Sequence, residues 1–200
     1  MTPPPSFVLS GPAGTVVADG IAAGYADVAA AAAALRHGTA DVVVGALPFD
    51  LRSPAALLTP ESVTFGSALP AWPAVPLPSV RIAEMLPEPG EHRARIRAAL
   101  QRLNEPESPL QKVVLARAMR LVADGALDLP SLLQRLSSDP AATVYLTDLS
   151  PAGPAHAGTV LVGASPELLV ARSGTRVTCQ PFAGSAPRSG SRSNVPSMSS

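Results

Sequence analysis

The sequence has a single cysteine, no excess of either charge and no long apolar run. Cys179, being alone, excludes an intrachain disulfide framework and favours a reducing compartment. Fifteen Lys and Arg residues balance fifteen Asp and Glu residues, which argues against a nucleic-acid-binding protein, because such proteins carry a basic patch. The most apolar run, residues 29–35, is far too short to span a bilayer, and the first residues lack the basic segment of a signal peptide. We therefore expect a cytoplasmic protein with no nucleic-acid or membrane partner.

The sequence also lacks the short motifs that mark common cofactor and catalytic sites. It contains no GxGxxG, no phosphate-binding P-loop, no HExxH and no GxSxG pattern. The three histidines, His37, His92 and His156, have no cysteine near them at ligand spacing. We predict that they are surface residues rather than metal ligands.

The amino-terminal part of the chain carries clear local signals. Two β-rich runs, residues 7–10 and 15–18, flank a loop of Gly and Pro and predict a hairpin. Asp27 is placed to cap a helix that runs through the following alanines to Arg36. The apolar run 41–47 predicts a strand that is buried on both faces.

Further segments follow in a mixed order that indicates an α/β protein of the α+β type. The proline-rich stretch 52–80 predicts an extended connection with one short strand near 62–69. We predict helices at 91–103 and 129–138, strands at 112–122, 143–149 and 159–163, and a hairpin of 168–172 with 176–180. The tail 189–200 has almost no apolar residue, and we expect it to be disordered because it cannot offset its ordering entropy by burial.

Four short segments, taken together, carry most of the functional information. They read GALPFD (45–50), QKVVLAR (111–117), GASPELL (163–169) and QPFAGSAPR (180–188). In this order and spacing the last three resemble the chorismate-utilising enzymes, and the first resembles a segment typical of isochorismate synthases. The resemblance runs from about Pro5 to Arg188. It implies the family's α/β fold, a sandwich in which two facing sheets enclose the active site.

The resemblance also implies roles for individual residues. Lys112 stands where isochorismate and salicylate synthases have a lysine that activates water, and Glu167 stands where the family has a glutamate that acts as general acid. Gly184 and Ser185 match a loop that approaches the substrate, chorismate. Ala183 stands where similar aminodeoxychorismate synthases carry a nucleophilic lysine, and anthranilate synthases typically have Gln in place of Lys112. Water is therefore the nucleophile that the resemblance implies.

These residue types suit the isomerisation of chorismate, which adds a hydroxyl at C2 of the ring and removes one from C4. A lysine can deprotonate water only in its neutral form, which burial or a neighbouring cation favours. The departing hydroxyl needs an acid, and a glutamate whose pKa is raised towards neutrality suits that role. A glycine in the nearby loop lets backbone N–H groups approach the substrate. The chemistry thus requires Lys112 neutral and Glu167 protonated.

Each of these residues also has an ordinary structural explanation. A lysine that opens a strand, such as Lys112, is a solvated charge in most proteins. Glu167 and Gly184 both fit turn positions, and Cys179 fits a small buried hydrophobic position. Without the resemblance, a structural role would be favoured over a catalytic or substrate-binding role for each of them.

The resemblance ends after Arg188. We therefore predict residues 1–188 as the amino-terminal portion of a chorismate-binding domain and 189–200 as a divergent tail, in a truncated isochorismate synthase that is inactive as an isolated chain. Mg²⁺ is the expected cofactor, but the resemblance implies that its ligands lie outside this chain, and no metal ligand is predicted here. We expect a monomer that acts in a siderophore, salicylate or menaquinone precursor pathway. A salicylate synthase fragment and a non-catalytic remnant of a chorismate-utilising enzyme are the alternatives.

Overall fold

A computed structural model describes residues 3–165 and 168–180 of the 200-residue chain. The elements in chain order are β1 (Phe7–Gly11), β2 (Gly14–Asp19), β3 (Ala23–Tyr25), α1 (Val28–Arg36), β4 (Val44–Ala46), β5 (Ala56–Thr59), β6 (Ser62–Gly66), β7 (Val80–Leu86), α2 (Pro89–Asn104), β8 (Ala118–Ala123), α3 (Leu129–Leu136), β9 (Thr143–Asp148), two short 3-10 turns (Ser150–Ala152 and Pro154–His156), β10 (Val160–Ser165), β11 (Leu168–Ser173) and β12 (Arg176–Gln180). Every strand pairing in these ranges is antiparallel. The predicted mixed α/β class is confirmed.

The chain divides into two compact units. The first, the sheet unit, contains the described parts of Pro5–Ala68 and Ser137–Ser200. The second, the ribbon unit, consists mainly of Leu69–Leu136. None of the helices in the described ranges combines the length and the apolar composition that a membrane span requires.

The sheet unit is built on a five-stranded sheet in the order β10-β9-β1-β2-β6. Its centre contains the predicted hairpin, β1 with β2, in which Val8 lies opposite Val17. On the other side of β1, Val8 lies opposite Leu146 of β9. All three side chains are buried, because cross-strand partners share one face of a pleated sheet and this face carries the core. The hairpin and the strand at 143–149 are therefore confirmed.

Helix α1 begins as its sequence predicts. The side chain of Asp27 accepts a hydrogen bond from the backbone N–H of Ala29 at 2.8 Å, which satisfies one of the free donors of the first turn. The helix ends at Arg36, and it buries Ala31 and Ala34. Small side chains on this face let the helix lie close to its neighbours, which include β3 and β5.

The strand predicted over 41–47 is much shorter than expected, and the prediction of burial on both faces is wrong. Only Val44–Ala46 is a strand, and its residues are half-buried. The reason is the length of its partner. Among the described strands β4 pairs only with β5, whose four residues, Ala56–Thr59, lie between Pro54 and Pro60. Prolines have no N–H to donate, so they limit how far this ladder extends.

The proline-rich connection is confirmed in part. It contains the short strand expected near 62–69, which is β6, but also β5, which was not predicted. In the ribbon unit its later part lies along α3. There Ser131 Oγ accepts a hydrogen bond from the Val75 N–H at 2.8 Å, and Gln134 Nε2 donates one to the Trp72 carbonyl at 3.0 Å.

The other predicted helices and the strands after residue 150 are confirmed, with each end within two residues of its predicted position. Helices α2 and α3 cover most of 91–103 and 129–138, and β10 covers most of 159–163. β11 and β12 form the hairpin predicted around Gly174. None of the residues of α2 is buried, so the apolar face formed by Ile96 and Leu100 is exposed. The tail predicted to be disordered lies outside the described residues.

Candidate active site

Lys112, the predicted base, lies in the ribbon unit within a segment that has no regular secondary structure. This segment, residues 111–117, leads directly into β8. The prediction of a strand from 112 is therefore wrong for its first six residues. Leu86, the last residue of β7, pairs with Ala118, and the chain then turns through Pro87 into α2. Within residues 3–165 and 168–180, therefore, no strand lies opposite 112–117. A β-rich sequence forms a strand only where it finds a partner.

The side chain of Lys112 is exposed, and so are those of its apolar neighbours. Val114 is 79% exposed, and Val113 and Leu115 are exposed to a smaller extent. Within the described ranges no carboxylate forms an ion pair with Lys112. The described residues thus place the lysine on the surface, beside three apolar side chains that are not covered.

The other three predicted site residues, Glu167, Gly184 and Ser185, lie outside the described residues. Described elements precede all three in the chain, and one also follows Glu167. Glu167 falls between the end of β10 at Ser165 and the start of β11 at Leu168, while Gly184 and Ser185 follow β12. The structure therefore shows where Lys112 lies, and the roles of all four residues remain predictions.

The strand that leads to Glu167 is held by a specific contact. Gly163 of β10 lies opposite Tyr145 of β9. A Cβ placed on Gly163 would come within 2.5 Å of the Tyr145 hydroxyl and 2.7 Å of its Cζ atom. The tyrosine ring therefore occupies the space above the glycine. Packing against the cross-strand tyrosine therefore explains why the segment GASPELL begins with glycine.

The segment GALPFD has a similar structural basis. Gly45 has φ of +142°, and a Cβ at this position would collide with the carbonyl oxygen of Ala56 on the neighbouring strand. Only glycine tolerates both conditions. The motif thus begins with a residue required by the close approach of β4 and β5.

The end of the same segment forms an exposed ion pair that the sequence did not predict. Arg52 donates from Nε to Asp50 Oδ1 at 3.0 Å and from Nη2 to Oδ2 at 2.9 Å. The hydrogen bonds from the Arg52 side chain, and then from its backbone N–H, hold the pKa of Asp50 below its usual value. Between these two residues and the glycine, Phe49 is fully exposed. The bidentate pair forms directly after Phe49, at the surface of the loop.

Two cavities flank this loop within the sheet unit. One, of about 630 Å³, is lined by Asp27 and residues 51–55 among others. The other, of about 400 Å³, lies between the loop, the 3-10 turn at His156 and Leu161 of β10. Both are lined mainly by apolar side chains, with few convergent polar groups to orient a charged substrate.

The described residues do not form a metal centre. No group of three or more His, Cys, Asp or Glu side chains in this part of the chain is placed to hold a metal ion. His37 and His156 are exposed, as predicted, whereas His92 is half-buried and its Nδ1 atom has no hydrogen-bond partner among the described residues. The described part of the chain therefore does not fit a Mg²⁺ site.

Comparison with known proteins identifies the protein family of this chain. Residues 73–197 match the family of chorismate binding enzymes. This range is more than half of the chain, and it includes Lys112, Glu167, Gly184 and Ser185. The chain belongs to the chorismate-binding enzyme family.

Similar proteins within the family are isochorismate synthases by name. The chain is 56% identical over 187 residues to the provisionally named isochorismate synthase MenF of Mycobacterium tuberculosis, covering 93% of this chain and 50% of that protein. It is 34% identical over 154 residues to isochorismate synthase EntC of Escherichia coli, covering 74% and 37%. A crystal structure of DhbC from Bacillus anthracis, provisionally described as a 2,3-dihydroxybenzoate-specific isochorismate synthase, matches 93% of this chain and 50% of that one, with a TM-score of 0.67 and 28% identity. The chain spans about half the length of the first of these relatives and of DhbC.

Proposed function

We propose that this chain contributes the water-activating lysine and the general acid of an isochorismate synthase. The observation that carries the proposal is the family match over 73–197, which includes every site residue inferred from the motifs. The 56% identity to MenF supports isochorismate as the product. The chain spans about half of that relative. The proposed activity is therefore that of a protein with the complete family fold, to which this chain contributes one part.

In the proposed reaction the two residues act at opposite ends of one displacement. Neutral Lys112 takes a proton from water as the oxygen bonds to C2 of chorismate. The ring double bonds shift, and the C4 hydroxyl leaves as water with a proton from Glu167. Lysine ends protonated and glutamate ionised, and proton exchange with solvent restores both. One water enters and one leaves, so the reaction is an isomerisation.

The structure bears on this proposal through the surroundings of Lys112. A lysine acts as a base only when it is neutral, and enclosure in a low-dielectric site favours that form. The three exposed apolar residues 113–115 lie directly beside Lys112. We propose that the whole protein covers these residues and encloses the lysine with them. Gly184 and Ser185, which follow β12 in the chain, would then approach the substrate.

The proposal includes a Mg²⁺ requirement, which comes from the family resemblance alone. The described residues offer no cluster of metal ligands, so we assign no step to the ion. The single cysteine supports a reducing, cytoplasmic location.

Salicylate synthase is the main alternative, since it shares the lysine and the glutamate. The names of the relatives favour isochorismate synthase. A non-catalytic remnant is the other alternative, and it would retain the fold without the chemistry.

A chimaeric protein distinguishes these functions. Residues 1–188 would be joined to the half of the M. tuberculosis MenF protein that this chain does not cover, and the products formed from chorismate with Mg²⁺ would be separated by chromatography. We expect isochorismate as the main product, both with and without added ammonium. Salicylate would support the first alternative, and an inactive chimaera beside an active MenF protein would support the second. Anthranilate as the main product would contradict the assignment of water as nucleophile.

A further inference from the structure

The two-stranded ribbon of β7 and β8 has two chemically different faces. Ile82 lies opposite Leu121, and Val80 lies opposite Ala123. The register then shifts between Ile82 and Glu84, which leaves Ala83 without a cross-strand partner. After this β-bulge, Met85 lies opposite Met119. Cross-strand partners share a face, and residues two apart along one strand share a face, so the bulge keeps the apolar side chains on the same side.

This side, the apolar face, consists of six residues from the two strands: Val80, Ile82, Met85, Met119, Leu121 and Ala123. The opposite face carries charges among its apolar residues. Arg81 lies on it, and Glu84 forms an ion pair with Arg120 at 3.2 Å. The ribbon is therefore amphipathic across its two faces.

The apolar face is exposed in the described part of the chain. Ile82 and Leu121, at its centre, are 51% and 52% exposed, and Val80 and Met119 are exposed to a similar extent. Contiguous apolar surface of this kind marks an interaction site in soluble proteins. A two-stranded ribbon is also marginal by itself and needs packing on one face for stability.

The relatives indicate what covers this face. Both strands lie inside the family match at 73–197, so the ribbon is part of the family fold. The chain corresponds to half of MenF and half of DhbC, and their other half has no counterpart in it. We propose that the apolar face of β7 and β8 docks a polypeptide with the sequence of that other half, through an apolar sheet or helix face. The same surface would then accept this half when it is supplied as a separate chain.

Co-expression tests the proposal directly and does not depend on catalytic activity. The 200-residue chain, carrying an affinity tag, would be produced in the same cells as the uncovered half of the M. tuberculosis MenF protein. Purified material would be analysed by size-exclusion chromatography with light scattering. Hydrogen–deuterium exchange would then be compared for residues 80–86 and 118–123 in the free chain and in the complex. We expect a one-to-one complex in which these two strands exchange more slowly.

A pair of matched double variants locates the contact. Ile82→Asp with Leu121→Asp places two carboxylates opposite each other on the apolar face. Arg81→Asp with Val122→Asp places two carboxylates opposite each other one register position away, on the other face. Burying unpaired carboxylates is costly, so we expect the first pair to weaken the complex on the order of 100-fold or more and the second by less than about threefold. If the charged pair disrupts the ribbon itself, Ile82→Ala with Leu121→Ala provides a milder test, with an expected loss of about tenfold.

Several results would overturn the proposal. One such result is that the wild-type chain forms no complex with the MenF half. Another is that neither the alanine pair nor the aspartate pair on the apolar face changes the affinity for that half. Equal loss in the two aspartate pairs would place the contact elsewhere. A homodimer of this chain that protects the same strands would show that a second copy, and not the other half of the fold, covers this face.

Discussion

The ring of Tyr145 on β9 lies over Gly163 on β10, in the space that any side chain at 163 would need. Gly163 is four residues before Glu167, on the strand that leads to it. An aromatic residue that covers a cross-strand glycine is a device that fixes strand register. The contact thus ties the start of a predicted functional segment to β9, the strand beside the central strand β1.

We predict that Gly163→Ala destabilises the chain by about 1–3 kcal/mol, because the tyrosine must leave its position to make room. The same substitution in a Tyr145→Ala background should cost less, since the clashing ring is absent. The measurement is urea unfolding of the four proteins of this double-mutant cycle. Additive effects within about 0.5 kcal/mol would show that the two residues do not interact.

The second prediction concerns the proposed acid and base. In the active chimaera, Lys112→Ala and Glu167→Gln should each lower kcat by about 10²–10⁴-fold, the usual contribution of a positioned acid or base. KM should change much less, because neither residue is proposed to hold the substrate. Steady-state kinetics with chorismate provides the test, and Cys179→Ser serves as a control that should leave turnover unchanged. Turnover near that of the unmodified chimaera in either variant would remove that residue from the mechanism.

The third prediction concerns Asp128, which precedes α3. Its carboxylate accepts hydrogen bonds from the Ser131 hydroxyl and from the Ser131 N–H at 2.9 Å, and these lower the pKa of Asp128 from its ordinary value of 3.8. A pKa that is lower in the folded state stabilises the fold at pH values above 3.8, and this contribution is lost as the pH falls through the folded-state pKa. In Ser131→Ala the side-chain hydrogen bond is lost and the backbone one remains. We therefore expect the pKa of Asp128 to rise part of the way to its ordinary value.

A carboxyl ¹³C NMR titration of Asp128 measures this change. Gln134→Ala, one turn further along α3, is the matched control and should leave the pKa of Asp128 unchanged. The same Ser131→Ala variant should speed hydrogen exchange at the Val75 amide, which donates to the Ser131 hydroxyl. An unchanged titration curve in Ser131→Ala would mean that its hydroxyl does not hold the carboxylate.

Local signals in the sequence were sufficient for the short-range elements. The hairpin of β1 and β2 follows from its turn residues, and α1 follows from Asp27 and the alanines behind it. Each of these signals lies within a dozen residues of the element that it determines, so no distant partner is needed to interpret it. The family was also accessible from the sequence, because four motifs in order are far more specific than one. The roles of Glu167, Gly184 and Ser185 stay predictions.

Strand ends and strand faces, by contrast, were decided by tertiary pairing. The segment 112–117 has the composition of a strand but is not one, because β7 ends opposite Ala118. The bulge at Ala83 brings Met85 to the same face as Ile82. Regular alternation along the strand would have placed these two residues on opposite faces. Tyr145 meets Gly163 only through the register of β9 with β10. In each case the deciding partner lies on another strand, and its length and register are set by packing that no local segment encodes.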